Sequence, residues 1–345
     1  MQAAVFHGPR DVRLTTVADP VPQEGEVLIK VQRAGICGSD VNRFRYGSHP
    51  WPPGFIMGHE FCGEIAAVGP GVTDWRVGQQ VVVEPTLYCG HCWYCQQGYH
   101  NRCVDFVRRG ITGAGTNGAF ADYVCVPAYQ PHARPPELAI DVAALVEPLA
   151  VSVHGWRLAG VERPDSVVIV GIGNIGLLAI LVARARGARQ IIAIGKYAAR
   201  QELAAAYGAS VILAPDDPQL QTRILEHTNG LGAEIVLEAA GTPSSLETAV
   251  AVARKGGKIV ILGVLHEAVA LNFRMVQLME KHLLGSVIYQ RQDFADAIEI
   301  LAGGGIDKGR HITAEIPLHA IVSHGFVPLS EQRAAHIKIQ VYPHT

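Results

Sequence analysis

The chain lacks any concentration of charge. Only 17% of its 345 residues are Asp, Glu, Lys or Arg, and the signs nearly cancel, at a formal −2 with a pI near 6.7. There is no basic footprint for nucleic acid, so no nucleic-acid partner is expected. Met1 to His7 has no basic segment followed by an apolar run, so no secretory leader is expected. The most apolar stretch, Val167 to Ala183, is interrupted by Gly171, Gly173 and Gly176, which suits a buried strand and helix better than a membrane span. A cytoplasmic protein with no membrane partner is the expectation. Internal repeats and low-complexity segments are also missing. With 49% hydrophobic residues, the chain can bury a sizeable core and is not disordered. Its length suits about two domains.

Cysteine is what the chain does concentrate. Of seven cysteines, four fall at Cys89, Cys92, Cys95 and Cys103. An odd total, a tight cluster and no leader favour metal ligands over disulfides. The C-x2-C-x2-C-x7-C spacing suits a closed tetrahedral zinc site with no open position, and hence a structural role. An iron–sulfur cluster or four free thiols are the other readings. A second ligand set begins at Cys37-Gly38-Ser39-Asp40, continues through a loop to Gly58-His59-Glu60, and has Glu147 far downstream. Thiolate, imidazole and carboxylate are a typical mixture for zinc, and a catalytic zinc keeps one position open. Each residue also has a bland reading: Cys37 as a small buried hydrophobe, His59 as a core histidine, Glu147 as an acid favoured at a helix N-terminus.

Periodicity divides the chain. The first part is strand-like and turned by Gly and Pro, with runs at Val27–Val31, Gly63–Val68, Gln80–Val83 and Phe120–Val126. A helical pattern rich in Ala and Leu starts near Val142. From Val167 to about Gly285, strand-like and helical runs alternate, which predicts βαβ units and a parallel sheet. The tail gives a helix from Phe294 and strands at Ile312–Ile316 and Ile337–Val341.

Val167–Val170 runs straight into Gly171-Ile172-Gly173-Asn174-Ile175-Gly176 and an apolar helix. Strand, G-x-G-x-x-G and helix together read as a dinucleotide fingerprint, with pyrophosphate on the helix N-terminus. An acid for the ribose 2′-hydroxyl of NAD is expected about 20 residues on. Ile191–Ile194 ends instead in Gly195-Lys196-Tyr197. Gly195 is read as leaving room, and Lys196 and Arg200 as able to meet a 2′-phosphate, so NADP is favoured over NAD. The bland reading is two solvated cations.

These motifs, with Gly118–Tyr123, Val146-Glu147-Pro148, Gly285-Ser286 and the Gly325-Phe326 and Ile337-Lys338-Ile339 ending, resemble the zinc-containing medium-chain alcohol dehydrogenases, nearly end to end. The chain resembles particularly the branch of the sorbitol, threonine and butanediol dehydrogenases. The resemblance implies an α/β fold: a GroES-like β-rich catalytic domain from residues 1–150 and 291–345, and a Rossmann doubly wound domain from 151–290. It implies catalytic zinc on Cys37, His59 and either Glu60 or Glu147, and a second, structural zinc on the quartet. Ser39 would pass a proton outward. Subunits would form homodimers or homotetramers. The family often carries a histidine where this chain has Asn42, and sorbitol-type members commonly carry Arg-Tyr where it has Ile288-Tyr289. The expected reaction is reversible oxidation of a secondary alcohol, such as a polyol, sugar acid or vicinal diol, to a ketone. A zinc-free reductase of the same fold and a non-catalytic zinc and dinucleotide sensor are the alternatives.

Overall fold

A computed structural model describes residues 1–47, 50–332 and 334–343. The chain divides into two compact units. One takes Met1–Glu147, Gln290–Gly303 and Lys308–Thr345, and the other takes Pro148–Tyr289 and Gly304–Asp307.

The first unit is built on a seven-stranded sheet whose centre is the long strand Glu26–Gly35. Its alternating apolar residues Val27, Ile29 and Val31 are fully buried, as the period-2 pattern requires. Glu60–Val68 runs antiparallel beside it, with Gly35 opposite Glu60. On the other side at its C-terminal end lies Lys338–Tyr342, nearly the whole chain away, with Gln340 opposite Gly35. Gly35 therefore sits between the strands that carry Glu60 and Lys338. A Cβ there would come 2.2 Å from Glu60 Oε2, so only glycine leaves the carboxylate its place.

One expectation is corrected here. The six residues after Asp40 complete the helix Gly38–Tyr46, so the connection to Gly58 is not a loop throughout. The helix's short length and negative mean hydropathy hid it from periodicity. Its start is set by Asp40, whose Oδ2 accepts the Cys37 N–H at 3.1 Å, satisfying a donor that the first helical turn would leave orphaned.

The second unit is a six-stranded, all-parallel sheet. Taken in space, its strands follow the chain order third, second, first, fourth, fifth, sixth. The first is Val167–Val170, flanked by Ile191–Ile194 and Ala233–Glu238. This order reverses direction at the first strand, and the carboxyl ends there open the crevice in which such sheets bind ligands. Buried on both faces, the first two strands read as unbroken runs of Val, Ile and Ala. The short strand Val211–Leu213, the helix Leu220–His227 and the edge strand His282–Gly285 escaped the sequence reading. The two strands have three and four residues, too few to show a period.

Candidate active site

Cys37 caps the helix Gly38–Tyr46, and His59 and Glu60 lie where Glu60–Val68 begins. The strand register folds these points together, and the ligand atoms of Cys37, His59 and Glu60 lie within 4.8 Å of one another. Glu147 is buried in the first turn of the helix Val146–Ala159 and falls outside that cluster. Ser39 is exposed on the first helical turn.

Two buried charges shape the cluster, and sequence reasoning gave neither a role in it. Lys338 Nζ donates to both oxygens of Glu60, at 2.9 and 2.6 Å, and to the Ile36 carbonyl at 3.0 Å. Burial pulls the lysine's pKa down, but Glu60 and Cys37 outweigh it and hold Lys338 above its ordinary value. Asp40 is fully buried, with Oδ1 3.5 Å from His59 Nδ1. Burial works against its charge, yet His59, Arg43 and the Cys37 N–H keep the carboxyl below the usual range. A metal-binding histidine commonly has its second nitrogen turned to such a carboxylate, which fixes ring and tautomer. The donor set and this arrangement fit a zinc ion.

The cysteine quartet also converges within 4.8 Å. Cys92 Sγ is 3.5 Å and Cys89 Sγ 3.9 Å from Cys95 Sγ, too far for a disulfide. A tetrahedron with metal–sulfur bonds of about 2.3 Å has edges of about 3.8 Å, so the spacing suits one zinc ion. Backbone N–H groups aim at the sulfurs: Cys92 N donates to Cys89 Sγ and Cys89 N to Cys103 Sγ, both at 3.3 Å. The N–H groups of Val104 and Cys95 bring the Cys92 thiol down to about 6, while burial pushes Cys95 up to about 12.

In the second unit, a cavity of about 480 Å³ opens at the switch point. Gly171, Gly173, Gly195, Lys196 and Arg200 line it, as the fingerprint implies. Asn174, Ile175 and Gly176 form the first turn of the helix Asn174–Ala185 behind it. Gly171 has a φ of +96°, and a Cβ on Gly176 would stand 1.8 Å from the Gly171 carbonyl oxygen. The tight turn and the close helix packing thus both require glycine.

Gly195 corrects an expectation. It does not leave room: a Cβ there would lie 1.9 Å from Ile172 Cγ1. The side chain between the first two glycines occupies the space in which an acid would begin. Arg200 stacks 5.1 Å from the ring centroid of Tyr197, and burial pulls its pKa down. Tyr197 takes a φ of +68°, uncommon for a bulky residue. Asp216, Thr242 and Ser245 also line the cavity, and sequence reasoning missed them. Ser245, which bonds Thr242, is held by Glu238, fully buried at its strand end. Its Oε1 accepts from the N–H groups of Ala240 and Gly241, both at 2.8 Å, and from Ser245 Oγ at 2.7 Å. An acid ending an apolar strand was the available signal.

Comparison with known proteins agrees with both halves of this description. Residues 23–136 match the alcohol dehydrogenase GroES-like domain, and residues 174–303 match the zinc-binding dehydrogenase domain. Sorbitol dehydrogenase of Bacillus subtilis (strain 168) is 34% identical over 92% of this chain and 90% of its own length. (R,R)-Butanediol dehydrogenase of the same organism is 31% identical over 99% of this chain and all of its own. A crystal structure described as a zinc-binding dehydrogenase from Sinorhizobium meliloti 1021 bound to NADP superposes with a TM-score of 0.90 at 31% identity, covering 99% of each chain. Among the described residues, no helix is long and apolar enough to cross a membrane. The chain belongs to the zinc-containing medium-chain alcohol dehydrogenases, with their GroES-like and Rossmann-type folds, and is an oxidoreductase of that family.

Proposed function

We propose that the chain interconverts a secondary alcohol, namely a polyol, sugar acid or vicinal diol, and its ketone, with NADP preferred over NAD. The observation that carries this reading is the convergence of Cys37, His59 and Glu60 from separate elements into one ligand cluster. The names of the sorbitol and butanediol relatives support the substrate class. The NADP in the Sinorhizobium structure, and the lack of an acid at Gly195 beside Lys196 and Arg200, support the cofactor.

Cys37, His59 and a carboxylate from Glu60 or Glu147 would hold one zinc, and the cysteine quartet would hold a second. When bound, the groups supply the chemistry: zinc is a Lewis acid that lowers the pKa of an alcohol oxygen, and the nicotinamide is a hydride acceptor. The protein's part is placement. Asp40 keeps His59 turned, Lys338 keeps Glu60 beside Cys37, and exposed Ser39 takes the hydroxyl proton toward solvent. Gly171 and Gly173 let the pyrophosphate approach the helix N-terminus.

We read the assembly as a homodimer or homotetramer. Its support is the edge strand His282–Gly285, paired on one side among the described residues, with Val264, Phe273 and Leu278 more than 60% exposed. The deciding experiment is a turnover panel of polyols, vicinal diols and sugar acids with each cofactor, on protein of measured zinc content. Turnover of one class, lost on zinc removal and regained on its return, is expected. No turnover of any member by the zinc-loaded protein would reject the reading.

A further inference from the structure

Arg43 is buried beside the metal cluster, where an arginine needs a reason. It is 8% exposed, three residues after Asp40 on the helix Gly38–Tyr46, and so on the same helical face. Its Nη1 lies 3.2 Å from Asp40 Oδ1, the same oxygen that faces His59 Nδ1 at 3.5 Å. Asp40 Oδ2 takes the Cys37 N–H. One carboxylate therefore touches the ring of one ligand residue and the backbone of the other, and one guanidinium stands behind it.

The guanidinium is itself held. It lies 5.8 Å from the ring centroids of both Trp51 and Phe55. A planar, weakly hydrated cation suits such aromatic surroundings better than an ammonium. Trp51 is pinned in turn by its indole N–H, which donates to the Val107 carbonyl at 3.0 Å. A Cβ on Gly115 would stand 2.7 Å from the same indole, so the ring has no slack on that side. The cradle fixes Arg43, Arg43 fixes Asp40, and Asp40 faces His59.

We propose that Arg43 is a positioning residue of the catalytic metal centre, acting through Asp40 to hold the His59 ring in its ligating orientation. The inference rests on the reading of Cys37 and His59 as zinc ligands. Partners behind ligating histidines commonly change metal affinity about 10–100-fold. Residue Arg43 is one contact further out, and its effect is expected near the lower bound.

The test is zinc release from the holoenzyme into excess chelator, followed with a zinc-sensitive dye. Two phases are expected, and the catalytic phase is the one absent from His59→Ala. Arg43→Met should speed that phase about tenfold and leave the other unchanged. Arg43→Lys keeps the stem and charge but loses the planar fork, and should fall between. Asp40→Asn should speed the same phase, and the double variant should be no faster than the faster single, because the two act in series. A wild-type release rate in folded Arg43→Met would overturn the proposal. So would equal acceleration of both phases, which marks general loosening, or multiplicative effects in the double variant. Should Arg43→Met not fold, Arg43→Lys decides: faster release in the catalytic phase supports the proposal, and an unchanged rate overturns it. A wild type that holds only the quartet zinc would reject the ligand reading itself, and this inference with it.

Discussion

Lys338 Nζ lies 2.6 Å from Glu60 Oε2 although 278 residues separate them, and both side chains are almost wholly buried. Breaking such a pair leaves an uncompensated charge in the interior, which costs about 3–5 kcal/mol. Lys338→Met should therefore destabilise the chelated protein by that order. Bound zinc offers Glu60 another cation, so the loss should shrink in the loaded protein. Thermal unfolding with and without zinc checks this. An equal loss in both forms would show that Glu60 does not reach the metal.

Loss of a ligand at the cluster should separate chemistry from cofactor binding. Cys37→Ser and His59→Ala are expected to abolish turnover. The dinucleotide cavity is lined by residues of the other unit, and independent sites usually combine within about 0.5 kcal/mol, roughly twofold in affinity. Cofactor fluorescence titration should still saturate. Substantial turnover by His59→Ala of verified metal content would remove His59 from the mechanism.

Elemental analysis should find two zinc ions per chain. Cys92→Ser should remove one of them and lower the melting temperature, since a structural metal contributes directly to folding. The hydride step should change much less, because a closed four-thiolate site has no open position. One zinc in the fully active wild type would contradict this.

Cofactor choice turns on Ile172 as much as on Gly195. Gly195→Asp alone drives a Cβ into Ile172 and should cost about 1–3 kcal/mol of stability. Relieving the collision with Ile172→Ala should let the aspartate act, adding an acceptor for a 2′-hydroxyl and repelling a 2′-phosphate. The ratio of kcat/KM for NADP to that for NAD should fall in the double variant. Arg200→Ala should lower it about tenfold or more, for the loss of one charge-assisted hydrogen bond of about 1.5–3 kcal/mol. A wild type that already prefers NAD would make Lys196 and Arg200 surface cations only.

What can be read along the chain here is what depends on neighbours in the chain. Cys89 to Cys103 span fifteen positions, so their spacing alone suggested that the four thiols form one cluster. Val167–Val170 and its glycines form a strand, a turn and a helix in succession, so the nucleotide fold was legible from period and composition. Strand bounds such as Gln80–Val83 and Ile191–Ile194 followed for the same reason. Other features depend on which backbone lies beside which, and on where a side chain points. Lys338 looked like part of a family ending until the sheet laid its strand beside Gly35 and its ammonium against Glu60. Gly195 looked like open space until the parallel pairing of its strand with Val167–Val170 brought Ile172 over it. Arg43 carried no signal along the chain, and only the helix turns it inward onto Asp40 and two aromatic rings. Burial gives these contacts their strength, because a charge removed from water must find a partner in the protein, and only the tertiary fold decides which charges are removed.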